Sequence, residues 1–100
     1  MGKNIFIISY LDLEMAEISK IEQYVIDKVR EKRIKAGLTQ TVLSVAMDIS
    51  SKFVGNVESA KTNAKYNINH LNKLAIIFEC SIKDFFPDKP LISDSPEGES

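Results

Sequence analysis

Nucleophilic and metal-ligating side chains are sparse in this 100-residue chain. Its one histidine, His70, and its one cysteine, Cys80, have no thiol or carboxylate neighbours at ligand or base spacing, so neither a metal centre nor an activated nucleophile is expected. Glycine-rich phosphate loops and paired-carboxylate motifs are missing from the sequence, so no enzymatic activity and no cofactor is expected either. Hydrogen-bonding chemistry is concentrated instead in one short stretch, "MDISSKFVGNVE", at 47–58. In a helix there, Val54 and Val57 turn inward and leave Ser51, Lys52, Gly55 and Asn56 on the opposite side. The Asn56 amide donates and accepts at once, which matches the edge of adenine, and Lys52 suits guanine or a phosphate. In a plainer reading Ser50 and Ser51 cap that helix, and Lys52 and Asn56 are solvated surface.

Positioning such a face takes a frame of helices, and the middle of the chain spells one out. Ser19-Lys20-Ile21-Glu22 is a capping box, followed by Ile21, Val25 and Val29 at four-residue intervals and by Gly37 as a left-handed stop. This predicts a helix from about residue 20 to 36. Thr39 is an N-cap for a second helix with Leu43 and Met47 on one side, broken at Asp48-Ile49-Ser50, after which Ser50 is expected to cap the third. Asn67 is expected to cap a fourth, with Ile68, Leu71, Leu74, Ala75 and Phe78 facing inward. Ser81-Ile82-Lys83-Asp84 repeats the capping pattern before Phe85 and Phe86, and Pro87 closes it. His70 reads as a surface or half-buried helix residue, Phe53, Phe85 and Phe86 as core, and Tyr66 as a ring packed on the fourth helix. The opening "NIFIISY" reads equally as a short strand or as part of one or two helical turns with the "LDLEMAEIS" behind it.

An apolar fraction of 44% with 27% charged residues is that of an ordinary globular protein, and 100 residues support one small core. The net charge of −1 conceals a polarity: residues 20–87 carry eleven Lys or Arg against seven Asp or Glu, between acidic ends. A basic middle is compatible with nucleic acid. Ile5 to Ile8 is too short a run for a membrane span or a signal-peptide core, so a cytoplasmic protein with no membrane address is expected. The lone Cys80 fits a reducing compartment.

The stretch "GLTQTVLSVAMDISSKFVGNVE" resembles the helix-turn-helix of the Cro and phage-repressor family, often called XRE-like, and "LNKLAIIFECSIKDFF" resembles that family's closing helices. The likeness covers about 26–86. It implies an all-α, compact five-helix repressor-like domain over 19–87, with an N-terminal extension at 1–18 as a possible dimer arm and a flexible acidic tail at 88–100. By the same resemblance, Gln40 opens the second helix, touching the DNA backbone and bracing the reading helix, while Ser51, Lys52 and Asn56 reach base edges. Lys61 and Thr62 fall in the basic stretch that meets phosphates, and Ser50 and Lys65 complete the expected DNA-facing set. Arg33 and Glu58 match a structural pair joining the first helix to the third. The implied partner is double-stranded DNA, bound by a homodimer acting as a transcription regulator.

Departures from the family pattern leave alternatives open. Asp48 stands in place of the usual turn glycine and is tolerable if left-handed. Ser44 stands where the two short helices cross and adds a hydroxyl that needs a partner. Gly55, costing about 1 kcal/mol against alanine in mid-helix, either lets the backbone approach DNA closely or marks a face that no longer reads bases. Val42 and Val45 point outward from the second helix, which keeps a second reading in view: an antitoxin-like or protein-interaction module, with the segment "NIFIISYLDL" as a candidate cover for those valines.

Overall fold

A computed structural model describes residues 18–92 of the chain. Expectations for the N-terminal extension up to residue 17 and for the tail from 93 onward lie outside the described residues. Those described are all-helical, with α1 at Lys20–Lys35, α2 at Gln40–Ala46, α3 at Phe53–Glu58, α4 at Ile68–Phe78 and a 3-10 turn at Ile82–Phe85, and with no strand among them. None of these helices is long and apolar enough to cross a membrane.

Helix α1 starts on the anticipated capping box. Ser19 Oγ accepts from the Glu22 amide at 3.2 Å, and the Glu22 carboxylate accepts from the Ser19 amide at 2.9 Å, which satisfies two of the donors a helix start leaves open. Its buried face is Val25, Ile26 and Val29, while Ile21, expected on that stripe, is exposed at the helix's outer end. The helix stops in a Schellman motif. Gly37 takes a φ of 74°, its amide donates to the Ile34 carbonyl at 3.0 Å, and the Leu38 amide donates to the Arg33 carbonyl at 3.1 Å.

The same device ends α2 with a different residue. Thr39 Oγ1 caps its start by accepting from the Val42 amide at 3.0 Å. At its end Asp48 adopts a φ of 62°, its amide donating to Val45 and the Ile49 amide to Ser44, so an aspartate occupies the left-handed position that glycine usually takes. A third stop follows α4, where Glu79 is left-handed at φ 54° and the Cys80 amide donates back to the Ala75 carbonyl at 3.0 Å.

Three expectations need correction. Ser50 does not cap α3: its Oγ accepts from the Lys52 amide at 3.3 Å within a turn over 51–52, and the helix proper begins at Phe53. Ile68, expected to face inward, is 75% exposed because it occupies the first position of α4, a turn beyond the buried Leu71, Leu74 and Ala75. Where the fifth helix was expected there is only the 3-10 turn. Phe86 before Pro87 is extended (φ −116°, ψ 152°), as the proline ring requires, so no further turn can form.

The core joins Val25, Ile26 and Val29 of α1, Leu43 of α2, Val54 and Val57 of α3 and Leu71, Leu74 and Ala75 of α4, closed by Met47, Tyr66 and Phe85. Phe85 is completely buried, edge-on to Phe78 at 6.5 Å between ring centroids, whereas Phe86 is exposed.

Candidate nucleic-acid interface

Six residues are too few to form a stable helix in water, so α3 must be held by its surroundings. Its first turn is capped from another element. The Val54 amide donates to Ser44 Oγ at 3.0 Å, and the same hydroxyl donates to the Gln40 carbonyl at 2.9 Å. One fully buried side chain thus satisfies a helix start that no local residue caps, and it ties α2 to α3 where they cross. The Ser44 hydroxyl, which needed a partner, thus has two.

The C-terminal end of α3 is held by charge. Arg33 of α1 grips Glu58 in a two-pronged pair, Nε to Oε2 and Nη2 to Oε1, each at 2.9 Å, with side chains 11% and 3% exposed. Its remaining prong donates to the Leu38 carbonyl at 2.8 Å. Gln40 adds a third donor to the same carboxylate, Nε2 to Oε1 at 2.8 Å, and Arg30 lies 3.6 Å from it on the solvent side. The hydrogen bond to Glu58 raises the proton affinity of the Arg33 guanidinium further above its ordinary value, against the opposing effect of burial. Glu58 sits at the end of a helix, where a negative charge meets the negative pole of the dipole, and the two arginines and the glutamine offset that repulsion.

Gly55 has a use that neither sequence reading anticipated. A Cβ there would lie 3.1 Å from the Gln40 amide oxygen, so the glycine makes room for Gln40 to lie across α3 on its way to Glu58. Gln40 therefore belongs to the bracing network of α1, α2 and α3.

The remaining expected contact residues divide into free and engaged. Ser51, Lys52 and Asn56 are exposed, and Lys52 and Asn56 are one helical turn apart, the Asn56 amide donating to the Lys52 carbonyl at 3.0 Å. The Lys61 side chain is also exposed, just past α3. Thr62 is half-buried: its hydroxyl donates to the Asn56 carbonyl and accepts from the Ala64 amide, tying the loop to the end of α3. Lys65 pairs with Glu22 at 2.8 Å, pinning that loop to the start of α1. Burial pulls the Glu22 carboxyl up, but the hydrogen bonds from Lys65 and Ser19 outweigh it and hold the group below its ordinary value. Among the described residues there is no cluster of His, Cys, Asp or Glu that could hold a metal ion.

Two further supports, the Lys73 contact and the His70 half of the α4 cap, were not singled out from sequence. Lys73 of α4 donates to the Met47 carbonyl at the end of α2 at 2.9 Å, a cation on the negative end of that helix. Asn67 and His70 form a reciprocal cap at the start of α4: the Asn67 side chain accepts from the His70 amide at 2.7 Å, and His70 Nδ1 accepts from the Asn67 amide at 3.0 Å. The three-residue spacing of a capping box was the signal for this pair, but histidine is not one of its usual residues. Comparison with protein-family models, with curated proteins and with solved structures finds no match.

Proposed function

We propose that this chain is a sequence-specific, double-stranded-DNA-binding transcription regulator of the Cro and phage-repressor (XRE-like) helix-turn-helix type, acting in the cytoplasm as a homodimer. In this reading α2 and α3 are the two helices of the motif, and α3 enters the major groove with Ser51, Lys52 and Asn56 toward base edges. One observation carries the reading. Among the described residues, the side chains that hold α3 in place (Ser44, Arg33, Gln40, and the buried Val54 and Val57) act on its inner side, at its ends or over Gly55, and none of them bonds the side chains of Ser51, Lys52 or Asn56. A major groove about 12 Å wide admits one such helix. Lys61 supplies a phosphate contact beside it, and Thr62 and Lys65 support the loop that places Lys61. Dimerisation follows from reach: so short a helix reads few base pairs, and two copies spaced one DNA turn apart read enough for specificity.

A second reading draws on Val42 and Val45, which are 50% and 60% exposed on α2. It makes the chain an antitoxin-like or protein-interaction module on the same fold, with those valines under a protein partner.

Selection from random-sequence duplex DNA at two salt concentrations separates the two. The regulator yields enriched two-fold-symmetric sites whose recovery is lost in Lys52→Ala and Asn56→Ala, both at exposed positions where folding is unaffected. No enrichment at either salt, with both variants folded as the wild type, rejects it.

A further inference from the structure

His70 sits where two helices begin. Its Nδ1 accepts the Asn67 amide to close the cap of α4, and its ring lies 4.6 Å from that of Phe53, the first residue of α3, at an interplanar angle of 49°. Tyr66, in the approach to α4, meets the same ring edge-on at 6.3 Å and also meets Phe53 at 5.8 Å. Three rings thus join the heads of α3 and α4, and only the histidine among them changes charge near neutral pH.

The cap works in one protonation state. A nitrogen that accepts a backbone N–H must carry its lone pair, so the ring is the neutral tautomer with its proton on Nε2. Adding a proton at Nδ1 turns the acceptor into a donor facing a donor and leaves the Asn67 amide unpaired. It also places a positive charge at the positive end of α4, one turn from the Lys73 ammonium. Of the groups around the ring, Lys73 on its own helix disfavours the cation, and Phe53 of α3 and the Tyr66 phenol are uncharged at neutral pH. The faces of Phe53 and Tyr66 attract a cation, but this attraction is opposed by the lost cap, the helix dipole and like charge together.

We propose that His70 is a proton-operated latch which, while neutral, caps α4 and fixes the head of α3 through Phe53, and which on protonation releases both, so that the α3 face is held in its working orientation only when the ring is uncharged. Burial, followed by the Lys73 charge, lowers the proton affinity of the ring below its ordinary value. A histidine whose folded-state affinity is lowered contributes its full stabilisation above the ordinary imidazole midpoint of about 6.5 and loses it as the pH falls through the lower, folded-state midpoint. The latch is therefore shut at neutral pH and opens in mild acid. This deepens the DNA-binding reading by giving its site a regulator, but its mechanical part stands without DNA.

As the chain's one histidine, His70 gives a single imidazole resonance to follow by NMR. On the full chain, that resonance should titrate below the midpoint of a histidine in an unstructured peptide, and the Asn67 amide and Phe53 ring resonances should move with the same midpoint. His70→Gln supplies a control, since glutamine at this capping position accepts the Asn67 amide but does not titrate. Relative to His70→Gln, the urea-unfolding equilibrium constant of the wild type should rise several-fold between neutral pH and about pH 5. His70→Ala should be destabilised at both. A midpoint at or above the peptide value, or an equal rise in His70→Gln, overturns the latch. A Phe53 ring indifferent to the titration overturns its coupling to α3. Binding of a mixed-sequence duplex is then measured at both pH values: loss in the wild type but not in His70→Gln extends the latch to DNA, whereas no binding at neutral pH by either protein counts against the DNA-binding reading and leaves the spectroscopic result standing.

Discussion

Glu58 concentrates more structural consequence than any other single side chain on α3. Its carboxylate collects Arg33 twice and Gln40 once, and the Arg33 side chain is almost wholly enclosed. Removing one partner of such a pair strands a buried charge, so Glu58→Ala is expected to cost about 3–5 kcal/mol, read as a shift in the urea midpoint. Glu58→Gln, which keeps one acceptor oxygen and the shape, should cost less. Gly55 acts in the opposite sense. Its replacement by alanine gains up to about 1 kcal/mol of helix propensity, and the clashing atom is the far end of an exposed glutamine that can swing away. Gly55→Ala should therefore raise the melting midpoint while the Gln40 side-chain amide resonances shift as the contact to Glu58 is lost. A lowered midpoint would show that Gln40 cannot give way.

Among the elements, the three left-handed stops set a graded test. Gly37 has open space around it, so Gly37→Ala meets only the conformational penalty of a φ of 74°, about 1–2 kcal/mol. Glu79 already bears a similar penalty at φ 54°, and Glu79→Gly should recover about 1 kcal/mol of it, less the entropy glycine adds to the unfolded chain. Calorimetry of the two variants should show melting midpoints moving in opposite directions. The stops also show what was legible from the residues alone. Ser19, Thr39, Asn67 and Gly37 announce themselves because caps and glycine stops act within four residues of chain. Asp48 was readable as left-handed only through the family resemblance, and Glu79 carries no local signal because the tertiary frame imposes its conformation. The site divides in the same way. The outward set of Ser51, Lys52 and Asn56 follows from helical period, and Arg33 with Glu58 follows from the resemblance. The Ser44 bond to Val54 and the passage of Gln40 over Gly55 depend on how two helices cross, which no period in the sequence encodes. Ser50 was misread because a serine before a helix looks like a cap whether or not a neighbouring helix has already filled that role.

At the scale of the whole molecule, the charge balance decides how binding should respond to salt. The net charge is −1, yet residues 20–87 hold eleven basic against seven acidic side chains, and several of the basic ones are spent internally: Arg33 on Glu58, Lys65 on Glu22, Lys73 on a helix end. Beside α3 only Lys52 and Lys61 are assigned to DNA by the proposed function, so under it the salt dependence should be shallow for a DNA-binding protein. Each lysine that meets a phosphate adds about 0.9 to the slope of log affinity against log salt. Titrations of the wild type and of Lys61→Ala over a range of salt should differ by about that amount in slope per bound copy. An unchanged slope would remove Lys61 from the contact surface.

The shared hydroxyl of Ser44 has a consequence for engineering. Among the described residues, no side-chain atom of Ser51, Lys52 or Asn56 takes part in anchoring α3; only the Asn56 backbone does. Those three letters can be rewritten as a cassette while the mount stays untouched, so a library randomised there should yield folded members throughout, differing under the proposed function in the DNA they select and scarcely in how they melt.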